Sequence, residues 1–316
     1  MNVIDRILQR EEFVSAPPVL IDIGASGGLH AKWSRIAPYA YCIGFDPDSR
    51  EMGFAERETK TFRKLFIFNR VVTDLPQDEI DFHLTKSPFC SSSLNPENEK
   101  LGYWSFQRLF EVEKTVKLRA MRVSDALRES GIAGIDWFKT DTQGTDLRLF
   151  RSLPDEIRQN VLLVELEPGI LDGYQGEDKL SEVIGYMHQQ GYFLSTMEVK
   201  GTQRIRPEVI DTFSGIDARV WQHCLIKSPG WAELSYLNPL QLRKYPKRSY
   251  LLAFVFALLE KQFGFALEIA RSGYAATNDP YFNELHDEAM RLIRKNNNTW
   301  VRVFIRKAGR KLFSYL

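Results

Sequence analysis

The stretch that most constrains the fold runs from Val19 to Asp48. Val19, Leu20, Ile21 and Ile23 form a short apolar run, as a strand buried on both faces of a parallel sheet requires. It ends in Gly24-Ala25-Ser26-Gly27-Gly28. Glycines here allow positive φ and close approach of a ligand to bare backbone, while the N–H groups of a following helix point at that ligand. A second apolar run, Cys42 to Phe45, ends at Asp46. That carboxylate comes about 20 residues after the first glycine, where a βαβ unit can accept hydrogen bonds from both hydroxyls of a ribose. The stretch reads as an adenosine pocket, with a tight βα turn of another α/β protein as the plain alternative. Its Gly-x-x-Gly-Gly spacing departs from the Gly-x-Gly-x-x-Gly of dinucleotide dehydrogenases.

A chain of 316 residues holds one large domain or two modest ones. With 44% hydrophobic and 26% charged residues it has the composition of an ordinary soluble globular protein. The net charge of +1 gives no global pull toward nucleic acid or an anionic surface. Cys42, Cys90 and Cys224 are odd in number and far apart, which fits reduced thiols in a cytoplasmic protein rather than a disulfide framework or a metal knuckle. No His, Asp and Glu cluster has metal-ligand spacing, although Asp141, Asp146, Glu165 and Glu167 can converge in space.

Residues 1–17 begin with a charged amphipathic segment, Val3, Ile4, Ile7 and Leu8 recurring at helical spacing, and serve as a lead-in helix. Residues 18–238 alternate strand and helix patterns. A short helix over 30–37, a strand over 41–46, a charged helix over 49–60 and a strand from Leu65 to Val72 give βαβαβ, half of a doubly wound sheet. Ile80 to Leu84 and Lys114 to Met121 alternate as one-sided strands around a hydroxyl-rich loop, Ser87 to Pro96. That loop serves as a substrate lid, with Ser92 and Ser93 as contacts, or as a solvated connector. Further strands are expected at 135–141, 161–166, 192–199 and 220–226, the last two separated by a long loop. From Pro239 onward the pattern is helical. Residues 299–316 carry Arg302, Arg306, Lys307, Arg310 and Lys311 opposite an apolar face, which suits peripheral contact with an anionic membrane or packing on the domain itself.

Taken together, Asp22-Ile23-Gly24-Ala25, Asp46-Pro47 and the segment with Lys139, Asp141, Gln143, Gly144 and Asp146 resemble the FkbM-type methyltransferase family, over about residues 18–230. Asp46 and Asp146 stand where Glu is commoner, and Gln143 replaces a frequent Glu, which removes a charge near the methyl-transfer site. The resemblance implies a class I, Rossmann-like α/β fold: a doubly wound, seven-stranded, mostly parallel sheet with the last strand antiparallel, here followed by a C-terminal helical extension, 239–316. It implies S-adenosylmethionine as cofactor, with Asp22 at its amino acid portion, Gly24, Ala25, Ser26 and Gly28 shaping the turn beneath it, and Asp46 on the ribose. Asp74 either reaches the adenine amine or is a solvated loop residue. Glu165 falls where the family has an acidic residue on its fifth strand and, with Gln143, is a candidate substrate contact.

Methyl transfer from a sulfonium is an in-line displacement, so a hydroxyl acceptor needs a base close by. Asp141, at the carboxyl end of the fourth strand, is the candidate base, and Lys139 pairs with it or orients the acceptor. A structural salt bridge is the plain reading of that pair. His83 and His223 are reserve bases. By resemblance, the acceptor is a hydroxyl on a sugar, a glycan, a lipid-linked precursor or a secondary metabolite. Two other readings stay open: a nicotinamide-dependent oxidoreductase, and a non-catalytic module. No nucleic-acid motif appears.

Overall fold

The computed structural model describes residues 2–24, 31–45, 47 and 61–297. Within them the chain divides into two compact units, one within 8–239 and a second formed by residues 2–7 with 240–297.

Among the described residues the larger unit contains ten strands: β1 (Val19–Ile23), β2 (Tyr41–Phe45), β3 (Lys64–Phe68), β4 (Val71–Val72), β5 (Glu79–Thr85), β6 (Val112–Met121), β7 (Trp137–Thr140), β8 (Leu163–Leu166), β9 (Phe193–Gln203) and β10 (Lys227–Leu237). Seven form one sheet in the order β3-β2-β1-β7-β8-β10-β9, and β4, β6 and β5 form a small second sheet. β10 alone runs antiparallel to its neighbours in the main sheet. Numbered within that sheet, the order is third, second, first, fourth, fifth, seventh, sixth, with the seventh reversed. This is the doubly wound class I methyltransferase topology.

All five residues of β1 are buried. Ile21, Ile23, Ile43, Phe45, Phe138, Val164, Leu166 and Leu234 point to one face of the sheet. They pack with Ala126 and Leu127 of helix Val123–Ser130, Leu147 and Phe150 of helix Asp146–Arg151, and Val183 and Met187 of helix Leu180–Gln189. Each such side chain contributes about 1.5–3 kcal/mol on burial.

Several expectations need correction. The third strand does not run unbroken from Leu65 to Val72: β3 ends at Phe68, and Val71–Val72 leaves the main sheet to pair with Ala120 and Met121 of β6. Residues 220–226 are not a strand but lie mostly within helix Asp217–Cys224, whose residues are all partly or fully exposed. The seventh strand instead begins at Lys227, where Pro229 and Gly230 interrupt the alternation and a register shift falls between Pro229 and Trp231. The expected long loop over 200–219 contains the end of β9 and helix Pro207–Ile210. The segment 31–39 forms two 3-10 turns. The charged helix expected over 49–60 and the basic tail 299–316 lie outside the described residues.

The second unit is helical. Helix Lys247–Leu259 is buried along Ser249 to Leu258, Phe263–Thr277 packs Gly273 against the Phe282 ring, and Tyr281–Asn297 starts where Asp279 Oδ1 accepts from Tyr281 N at 2.9 Å. Among the described residues no helix is long and apolar enough to cross a membrane.

Candidate active site

In the main sheet β1 and β7 are neighbours, and the chain winds outward from them in opposite directions. Open α/β sheets hold ligands outside the carboxyl ends of the strands at such a point. There Ile23 O accepts from Asp141 N at 2.9 Å, and Phe45 O from Gly24 N at 3.0 Å, so the ends of β1, β2 and β7 are tied together. Gly24 has φ +88°, and a Cβ on it would stand 2.0 Å from the Asp141 carbonyl oxygen. Only glycine fits that joint.

A cavity of about 440 Å³ opens over these ends. Gly24, Phe45, Asp141, Gln143, Gly144 and Glu167 line its floor. Phe89, Cys90 and Ser93, from the loop after β5, line one side, and Phe106, Leu109, Phe110, Tyr174 and Trp231 line another. Of the residues expected at the site, the cavity therefore brings together Gly24, Asp141, Gln143 and Ser93. Ala25, Ser26, Gly28 and Asp46 lie outside the described residues.

Asp22, Lys139 and Glu165 occupy one row across β1, β7 and β8, with Ser235 of β10 paired to Glu165. Lys139 Nζ donates to Asp22 Oδ1 at 2.7 Å. Asp22 is fully buried, and its Oδ2 has no hydrogen-bond partner among the described residues. Burial opposes the Lys139 charge, but Asp22 and Asp141 outweigh it and hold the ammonium above the ordinary lysine range. Lys139 therefore serves as a fixed cation behind the cavity floor. Removing it strands a buried carboxylate, so Lys139→Met should cost about 3 kcal/mol in a denaturant titration, and adding Asp22→Asn should recover most of that.

Two expected substrate contacts are placed elsewhere. Glu165 accepts from Trp137 Nε1 at 3.0 Å, Lys32 Nζ at 2.8 Å and Ser235 Oγ at 3.2 Å, and it does not line the cavity. Its position in the middle of the polar row is the reason. Ser92 is 1% exposed; its hydroxyl donates to Gln143 O at 2.9 Å and accepts from Leu94 N at 3.1 Å, so it anchors the loop beneath its neighbour Ser93. Asp74 follows β4 in the small sheet and does not line the cavity. Nor do His83, which contacts Thr115 Oγ1 at 3.0 Å, or the exposed His223.

Asp141 faces the cavity with one oxygen already engaged. Gln143 Nε2 donates to Asp141 Oδ1 at 2.7 Å, while Gln143 Oε1 lies 3.1 Å from the Tyr174 hydroxyl, which also lies 2.8 Å from Cys90 O. Gln143 holds φ 57°, a left-handed conformation uncommon outside glycine, and the two side-chain bonds keep it there. A glutamate at 143 would set two carboxylates against each other. The amide instead donates to Asp141. Burial pushes the Asp141 pKa up, and Lys139 and Gln143 oppose that push.

Glu167, beyond the end of β8, lines the cavity with its pKa pushed up to about 9 by burial and by Asp141 and Asp146. Nearby Asp146, fully buried at the start of its helix, is raised to about 6 by burial, and accepts from Thr142 Oγ1 at 3.2 Å. A Glu raised in the folded state contributes stability that is fully present below the ordinary carboxylate range and lost as pH rises through about 9. Ligand-free Glu167→Gln should therefore melt higher than the parent at pH 8, and the difference should vanish near pH 4, as followed by thermal unfolding across pH. In sequence Glu167 stands out only as one of the acidic residues able to converge with Asp141, Asp146 and Glu165, and Tyr174 carries no signal.

With this geometry in view, residues 41–194 match the methyltransferase FkbM domain. The match spans just under half of the chain and is a similarity to that domain. The FkbM match begins at β2 and ends in β9, so it includes Lys139, Asp141, Gln143 and Glu167 and starts after Gly24. Among solved structures, precorrin-6y C5,15-methyltransferase from Geobacter metallireducens GS-15 is 11% identical with TM-score 0.33, covering 75% of this chain and 86% of its own. NSun6 from Pyrococcus horikoshii, solved with SFG, is 12% identical with TM-score 0.23, covering 75% of this chain and 50% of its own. No curated protein matches the chain significantly.

Proposed function

We propose that this FkbM domain transfers the methyl group of S-adenosylmethionine to a hydroxyl, with Asp141 as the base. The observation that carries this is the half-engaged Asp141 carboxylate on the cavity floor, where the strand order reverses and beside the bare backbone of Gly24. The residues suit the cofactor. Gly24 leaves its backbone uncovered at the end of β1, the buried Asp22 Oδ2, unpartnered among the described residues, can accept a hydrogen bond, and the glycine turn and Asp46 follow in sequence. When bound, S-adenosylmethionine supplies an electrophilic methyl on a cationic sulfur.

The protein's task is then to place an acceptor oxygen in line, to exclude water and to accept one proton. Asp141 receives that proton, Gln143 keeps its carboxylate turned to the cavity, and Lys139 favours its ionised form. Acceptor classes drawn from the family resemblance are sugars, glycans, lipid-linked precursors and secondary metabolites. Incubation of the purified protein with S-adenosylmethionine and a library of hydroxylated compounds tests the reading, the readout being S-adenosylhomocysteine formed together with a product heavier by the mass of a methylene. Transfer only to amines or thiols, with none to a hydroxyl, would overturn it.

A further inference from the structure

The two sides of the cavity above its floor carry Phe89, Phe106, Leu109, Phe110, Leu171 and Trp231. Phe106 and Trp231 lie nearly parallel, 7° apart with centroids at 6.4 Å, and Phe106 meets Phe110 edge-on at 4.9 Å. Part of this wall is core: Phe110 and Tyr174 are buried with Cys90 and Leu101. Two members are not. Phe89 is 62% exposed and Leu109 is 45% exposed, so neither stands at the cavity to complete the core. Exposed apolar side chains around a concave site mark a binding surface.

Most polar groups of the lining are already engaged. Arg70 pairs with Glu129 at 3.4 Å, and Glu177 accepts from Gly173 N at 2.8 Å and Lys179 Nζ at 2.5 Å. Ser91 Oγ accepts from Thr85 N at 3.1 Å, and both ends of the Gln143 amide are bonded. Among the described lining residues this leaves the Ser93 hydroxyl, the Trp231 Nε1–H, the remaining Arg70 N–H groups and the carboxyls of Asp141 and Glu167 to meet a ligand, few polar groups against a largely apolar lining. A bare sugar would bring several hydroxyls to a wall that offers few partners, and each unpaired hydroxyl would count against binding. A flat apolar body bearing one hydroxyl needs only Asp141.

We infer that the acceptor is a ring-bearing, largely apolar alcohol or phenol, and that Phe89, Leu109 and Trp231 form its seat. The inference rests on the methyl-transfer reading only in naming the occupant as the acceptor. Its test is calorimetric titration of the full chain with 2-naphthol and with methyl β-glucopyranoside, each with and without S-adenosylhomocysteine, beside Phe89→Ala. Expected is binding of 2-naphthol in preference to the glucoside, weakened about tenfold in the variant, with S-adenosylhomocysteine affinity unchanged. Tighter binding of the glucoside, or equal 2-naphthol affinity in Phe89→Ala, would overturn the assignment. Failure of S-adenosylhomocysteine to bind strikes the cofactor reading alone, since the ring-against-sugar comparison without it still decides the seat.

Discussion

Gly24→Ala is expected to destabilise the larger unit by about 4 kcal/mol or more, the range reached when a substitution forces backbone apart. Two effects add. An L side chain at φ +88° costs about 1–2 kcal/mol by itself. The larger effect is the Cβ placed 2.0 Å from the Asp141 carbonyl oxygen, because that oxygen belongs to backbone tied to Ile23 O through Asp141 N and cannot swing aside. The joint between β1 and β7 would have to open. Gly131→Ala separates the two effects, since Gly131 also has positive φ, +68°, but nothing stands within 4 Å of the place a Cβ would take there. It should lose only about 1 kcal/mol. Denaturant midpoints of the two variants measure the difference, and equal losses would show that the Asp141 contact is not what requires glycine at 24.

Asp141→Asn should lower kcat by about 10²- to 10⁴-fold, the usual contribution of a positioned general base. Stability should change little, because an asparagine oxygen can still accept the hydrogen bond from Gln143 Nε2. The pH dependence is the sharper readout. Asp141 accepts a proton only when ionised, and burial raises its pKa, so kcat should climb with pH through a value above the ordinary carboxylate range. In Asp141→Asn that limb should be missing. A residual limb at the same pH would assign it to another group, with Glu167 the first to test, because its pKa also lies high and it lines the same cavity.

The parallel strands were legible in the sequence because strands buried on both faces are written as mostly apolar runs, as at Leu20 to Ile23 and Leu162 to Leu166, each broken by a single carboxylate, Asp22 or Glu165. The place of Lys139 and Asp141 at the end of such a run was legible from position, but the expected pairing of the two was not what forms: Lys139 bonds Asp22 on the neighbouring strand instead. What failed was local. Val220 and Trp221 look like a strand start, yet lie in a helix whose residues are all at least partly exposed. The real β10 carries Pro229 and Gly230, residues that argue against a central strand until a register shift accommodates them. The roles of Glu165 and Ser92 were hidden for a different reason. Trp137, Lys32 and Ser235 converge on Glu165 across three other segments of chain, and Gln143 O reaches Ser92 from far along the sequence. Spacing along one strand or one loop carries no record of such partners.

The most direct test of the account is calorimetric titration of the full chain with S-adenosylhomocysteine and, separately, NADH, beside Asp46→Ala. The account expects S-adenosylhomocysteine to bind with micromolar Kd, the variant to bind it more weakly, and NADH to give no heat of binding. Binding of NADH alone would contradict the methyl-transfer reading at its root, and binding of neither ligand would leave the sheet as a scaffold without the cofactor on which the proposed chemistry depends.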